Sequence, residues 1–224
     1  QATNAIVRFF QHGHVWLVQN TSRHSFNDKN GLFISDGRND TLMPPVGERR
    51  AIADFAPAGL IVTRLSDYPH AEWTRHLFWS KAGDGCFVVL DRVRFTSDGP
   101  FSVTCTWRTP AFAEQSGRRW VSEQGTHRFT LVAGANYPST CEEEFDQGAC
   151  APYVLRQRTA GVRRAGEELS FQNLFYVRPQ SAAERLDLQP LDPRGAVVRR
   201  EGVAVAWCGL ELAPGTAWLP GASA

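Results

Sequence analysis

Along most of the chain, bulky side chains recur at every second position. In residues 71–82, Trp73, Arg75, Leu77 and Trp79 alternate with Thr74, His76, Phe78 and Ser80. A period of two places such sets on opposite faces of a strand, whereas the same residues wound at 3.6 per turn give a poorly amphipathic helix. Residues 86–95 and 101–109 are rich in β-branched and aromatic side chains and are separated by Thr-Ser-Asp-Gly-Pro. That pattern predicts a hairpin with Asp98-Gly99 at its turn. Residues 5–10 and 14–20 predict a second hairpin, closed around Gln11-His12-Gly13.

Further strands are expected at 31–35, 51–55, 59–65, 126–132, 153–159, 170–177, 196–200 and 203–208, and only 181–186 reads as a short helix. Asp36-Gly37, Pro57 to Gly59 and Asp192 to Gly195 punctuate them. Together these signals predict an all-β fold with little helix, an antiparallel two-sheet β-sandwich of the supersandwich kind. No repeat or linker divides the sequence, so residues 1–224 read as one domain. The polar start and the Pro-Gly-Ala-Ser-Ala end read as a fragment of a longer protein.

Composition narrows the function more than the fold. Lys plus Arg number 24 against 23 Asp plus Glu, so no strong positive field points to a nucleic-acid partner. No apolar run is long enough to span a bilayer. The five cysteines form no Cys-x-x-Cys pair, which argues against a zinc ribbon or a thioredoxin-like centre. Cys141 and Cys150 bracket a polar loop that a disulfide can staple in an oxidising compartment, while Cys208 reads as a small buried hydrophobe. Gly-rich phosphate loops and Gly-x-Ser-x-Gly elbows are both missing, which removes nucleotide binding and serine hydrolysis.

Three groups of side chains invite a chemical reading. His12 and His14 share a strand face, a spacing used by some metal sites, but no third ligand is near in sequence and a polar hairpin tip is the simpler account. Arg23, His24, Asn27, Asp28, Lys29 and Asn30, flanked by Phe26 and Phe33, suit sugar hydroxyls and carboxylates, as they also suit a solvated loop. Arg75, Arg92, Arg94, Trp107, Arg108, Arg118, Arg119 and Trp120 combine forks that grip carboxylate or sulfate with rings that stack on pyranoses. Most of these can equally be core tryptophans and solvated arginines. Asp91 is expected to pair with a neighbouring Arg, and Glu142, Glu143, Glu144 and Asp146 are either solvated loop charge or a seat for a hard cation.

The stretch AIVRFFQHGHVWLVQN followed by KNGLFISDG resembles the start of the β-sandwich domain of heparinase II/III-type polysaccharide lyases. RHLFWSKAGDGCFVVLDRV, FQNLFYV and ELAPGTAWLPG are similar to its later strands. The resemblance implies a C-terminal sandwich partnered by an N-terminal helical toroid of the same protein, with acidic polysaccharide in the cleft between them. It also implies β-elimination by a Tyr/His acid-base pair supplied from elsewhere, so catalytic residues in this chain are unknown and the isolated chain is expected to be inactive. Of the family's metal-supporting positions, the Asp falls at Gln19 and the His at Lys29, and with a neutral amide and an ammonium there no metal or other cofactor is expected. A loop shift bringing in His24 or Asp28 is the alternative.

On this basis the expected substrate-binding residues are Arg23, His24, Asn27, Asn30, Arg75, Trp107 and Arg108, with acidic polysaccharide as ligand. The expected location is secreted, periplasmic or cell-surface. A non-catalytic carbohydrate-binding or structural extracellular module is the competing reading, favoured by Gln19 and Lys29.

Overall fold

The two-residue periods become strands in the computed structural model, which describes residues 4–19, 29–38, 47–68, 70–134, 137–144, 153–191 and 195–209. In chain order these are β1 (Arg8–Gln11), β2 (His14–Val18), β3 (Gly31–Ser35), β4 (Glu48–Asp54), β5 (Ala58–Tyr68) and β6 (Ala71–Ser80). There follow β7 (Cys86–Phe95), β8 (Gly99–Thr109), β9 (Ala113–Ser116), β10 (Arg119–Gln124), β11 (His127–Ala133) and β12 (Ser139–Glu143). The last are β13 (Tyr153–Arg163), β14 (Glu168–Pro179), β15 (Leu186–Pro190), β16 (Gly195–Arg200) and β17 (Val203–Gly209). No described residue is helical, so no helix long and apolar enough to cross a membrane occurs among them.

The fold is an all-β sandwich. An eight-stranded antiparallel sheet, ordered β4-β5-β6-β7-β14-β11-β10-β9, faces a four-stranded sheet, β12-β13-β8-β3, and the β1-β2 hairpin. The core between them is aromatic: Trp16, Trp73, Trp107, Trp120, Phe95, Phe129, Phe171 and Phe175 are fully buried. Phe87 stacks on Phe175 at 4.6 Å between centroids, and Trp107 meets Phe175 edge-on at 4.7 Å. Burial of such rings contributes the largest apolar areas available to a sheet protein.

A third layer goes beyond the two-sheet expectation. The sheet β15-β16-β17 covers the middle of the outer face of the eight-stranded sheet, where Val88, Val132, Leu174 and Tyr176 pack against Leu186, Leu188, Val198 and Cys208. This layer explains why β14 is buried along both faces. Cys208 is the buried small side chain that its apolar context suggests, and burial pushes its thiol up to about 12.

Two local expectations are corrected. β7 and β8 do not pair with each other: β7 lies between β6 and β14, and β8 between β13 and β3. The Asp-Gly signal marks an arch that carries the chain across the core, with Phe95 and Phe101 in contact at 4.6 Å. Asp98 accepts a hydrogen bond from the Ala165 amide and so serves the β13–β14 turn instead of its own. Residues 181–185 form no helix, and Leu186 opens β15, because Leu186 and Leu188 alternate into the third-layer core. The β1-β2 hairpin forms as expected, with His12 and Gly13 at φ of 53° and 80°, as a tight two-residue turn requires.

Candidate functional site

Strand alternation turns Trp73 and Arg75 of β6, Asp91 of β7 and Trp107 of β8 into the sandwich at the end where the chain enters. Arg75 Nε and Nη2 donate to the two oxygens of Asp91 at 2.7 and 2.8 Å, and Trp73 Nε1 donates to the same carboxylate at 2.7 Å. The remaining guanidinium nitrogen, Nη1, donates to the carbonyls of Asn4 and Asn30 at 2.9 and 3.0 Å. The guanidinium lies 5.0 Å from the Trp73 ring and 5.3 Å from that of Trp107. A buried ion pair is tolerated only when its remaining donors are satisfied, and here each nitrogen of Arg75 has a partner. Asn30 extends the cluster: its Nδ2 donates to Ile6 O at 3.1 Å and its Oδ1 accepts from the Arg108 amide at 2.7 Å. The group thus ties the entry segment and the head of β3 to both sheets.

Beside it, Arg108 pairs with Glu144 at 2.8 Å, and Arg156 pairs with Glu142 at 3.3 Å and with Glu144. Guanidinium groups therefore occupy Glu142 and Glu144, two carboxylates of the suggested hard-cation seat; Asp146 lies outside the described residues. Cys141 accepts a hydrogen bond from Trp120 Nε1 at 3.1 Å, and Cys150, its suggested disulfide partner, lies outside the described residues.

Of the seven expected binding residues, Arg23, His24 and Asn27 fall outside the described residues. The other four are brought together, yet Asn30, Arg75, Trp107 and Arg108 expose only 0, 4, 0 and 2% of their surface. Their polar groups face other parts of the chain, which leaves no area against which a sugar ring can lie. These four tie parts of the sandwich to one another.

The two family metal positions also fall in this region. Lys29 is buried, and Gln19 Oε1 is buried without a hydrogen-bond partner, as are Nδ2 and Oδ1 of Asn4. An ammonium and neutral amides are not a donor set for zinc, and no group of three ligating side chains gathers among the described residues. Among the described residues the donor set does not fit such a metal; His24 and Asp28, the alternative ligands, lie outside them. His12 and His14 do meet a third imidazole that sequence spacing could not reveal, His127 of β11, which stacks on His12 at 4.6 Å and lies 6.2 Å from His14. The His12 and His127 rings lie nearly parallel, 10° apart, an arrangement of a packed hairpin tip and not of nitrogens converging on an ion. Burial pushes the phenols of Tyr68 and Tyr137 above their ordinary value.

No protein-family model matches the sequence, and no curated protein matches it. Solved structures do match in fold. The heparan sulfate lyase HepC from Pedobacter heparinus superposes with a TM-score of 0.69 at 8% identity, over 91% of this chain and 36% of that one. A heparinase III gene product superposes with a TM-score of 0.70 at 13% identity, and a further heparinase III structure with 0.69 at 11%, over 91% of this chain and 36% and 35% of theirs. Such identities confine the likeness to the fold, and the chain spans about a third of the length of these structures.

Proposed function

We propose that this chain is the β-sandwich portion of a heparinase II/III-like polysaccharide lyase, lending acidic-polysaccharide-binding surface to a β-elimination completed by a helical domain outside this sequence. The observation that carries the reading is the common fold with heparan sulfate lyases over nearly all of this chain but only a third of theirs. Proton abstraction α to a uronate needs a tuned base within hydrogen-bond reach of the sugar. Arg75, Asp91 and Asn30, the central polar groups of the entry region, are engaged in holding the sandwich together, which supports a supply of acid and base from elsewhere.

In this reading Arg23, His24 and Asn27 contact the glycan, and Asn30, Arg75, Trp107 and Arg108 position the floor. The protein acts outside the cytoplasm, where such polysaccharides occur. Gln19 and Lys29 favour a second reading, a carbohydrate-binding module that keeps the sandwich without the chemistry. Calorimetric titration of the full 224-residue chain with a uronic-acid oligosaccharide tests the binding claim: Arg23→Ala with His24→Ala weakens binding about tenfold, the value of one or two charge-assisted hydrogen bonds. Unchanged affinity in that variant removes this surface from the account.

A further inference from the structure

The outer face of the eight-stranded sheet is left open beside the third layer, and there it carries an arginine-lined groove of about 340 Å³. β4 supplies Arg50, β5 Val62 and Arg64, β6 Glu72, Thr74 and His76, and β7 Arg92 and Arg94. Register explains the alignment: Arg64 pairs with Thr74 and Thr74 with Arg92, so two guanidinium groups flank a small hydroxyl along one row. Four adjacent strands span about 15 Å.

Three of the arginines are held by carboxylates near solvent: Arg64 by Glu72 at 2.8 Å, Arg92 by Glu168 at 2.5 Å and Arg50 by Glu48 at 2.7 Å. The Arg50–Glu48 pair is exposed and the other two are partly open to water; pairs that water reaches are weak, so a denser anion competes for the same forks. Arg94 lies cross-strand from both Glu72 and Glu168, but those carboxylates bind Arg64 and Arg92, and among the described residues Arg94 has no side-chain partner. It is exposed at the mouth of the groove.

We infer that this groove is a second polyanion site, taking the sulfate and carboxylate groups of a sulfated polysaccharide on the sheet face opposite the buried Arg75 cluster. Its lining contains no Phe, Tyr or Trp, and its one ring, His76, is largely buried and stacks on Phe78, so it lacks the open stacking platforms that a single-stranded nucleic acid uses. Forks without stacking recognise charge density, which suits sulfate. The choice of a glycan as source of the anions rests on the proposed lyase reading; the groove itself does not.

The test titrates the full chain with a heparin hexasaccharide and, separately, with a single-stranded oligonucleotide of equal charge. Arg94→Gln combined with Arg64→Gln is expected to weaken heparin binding about tenfold, as is Thr74→Glu, while Glu72→Gln, which frees Arg64, tightens it. A gain in affinity cannot come from misfolding, and unchanged thermal unfolding of each variant checks the losses. Arg128→Gln, which breaks the exposed Arg128–Glu123 pair elsewhere on the sheet, serves as the control and leaves binding unchanged. Equal loss in that control, no effect of the groove variants, no heparin binding at all, or tighter binding of the oligonucleotide each overturns the inference. Groove-dependent binding that is indifferent to Arg23→Ala and His24→Ala leaves this site standing and removes the cleft reading alone.

Discussion

β6 and β7 present arginine–carboxylate chemistry on both of their faces, with opposite consequences. Inward, Arg75 and Asp91 are sealed between two tryptophans and fully engaged. Outward, one residue further along β7, Arg92 meets Glu168 where water reaches both partners. The same pair of residue types is therefore a strut on one face and a replaceable contact on the other. Environment, and not residue identity, decides which arginines of this chain can meet a ligand.

The contrast can be broken from its buried side first. Asp91→Asn leaves the Arg75 charge unpaired in the core and is expected to cost about 3–5 kcal/mol in urea unfolding. Replacing both, Arg75→Met with Asp91→Leu, costs less than that single change, because no stranded charge remains. Gly31→Ala drives a Cβ to 2.8 Å from the Trp73 ring, in the wall of the same cluster, and overpacking there costs about 1–3 kcal/mol.

Beneath the third layer the outer face is dry as well, and pH reads this out. The folded Cys208 thiol is raised from 9.0 to about 12, so the native state holds its proton more tightly than the unfolded chain. The stability this confers is complete below about pH 9 and declines at about 1.4 kcal/mol per pH unit as pH rises toward 12. Thermal melts should show that decline, and Cys208→Ala should lessen it, leaving the part due to Cys86, Cys105 and Tyr68, which burial also raises. The smallest effect belongs to the wet part of the same face: Glu168→Gln changes stability by less than about 1 kcal/mol in the same melts.

Much of the fold was legible because alternation is a local signal. β3 and β7 begin and end where the pattern places them, and the Asp91–Arg pairing was expected from the strand end. Strands β9, β10, β12 and β15 escaped because they are short or polar; the burial that makes them strands comes from partners distant in sequence. The Asp98-Gly99 turn misled for a related reason: a turn signal fixes where the chain bends, not which sheet receives it. At the site, residue type told correctly that Arg and Trp gather, but not that Asn30, Arg75, Trp107 and Arg108 would be spent on one another. His127 beside His12 could not be seen at a separation of more than a hundred residues.

In the proposed function this chain supplies a surface for acidic polysaccharide and not the groups that cleave it. The direct measurement incubates the chain alone with uronate-containing polysaccharide, following occupancy by calorimetry and the ultraviolet absorbance of unsaturated uronate in parallel. The account predicts saturable binding with flat absorbance; steady growth of the unsaturated product from this chain by itself would contradict it.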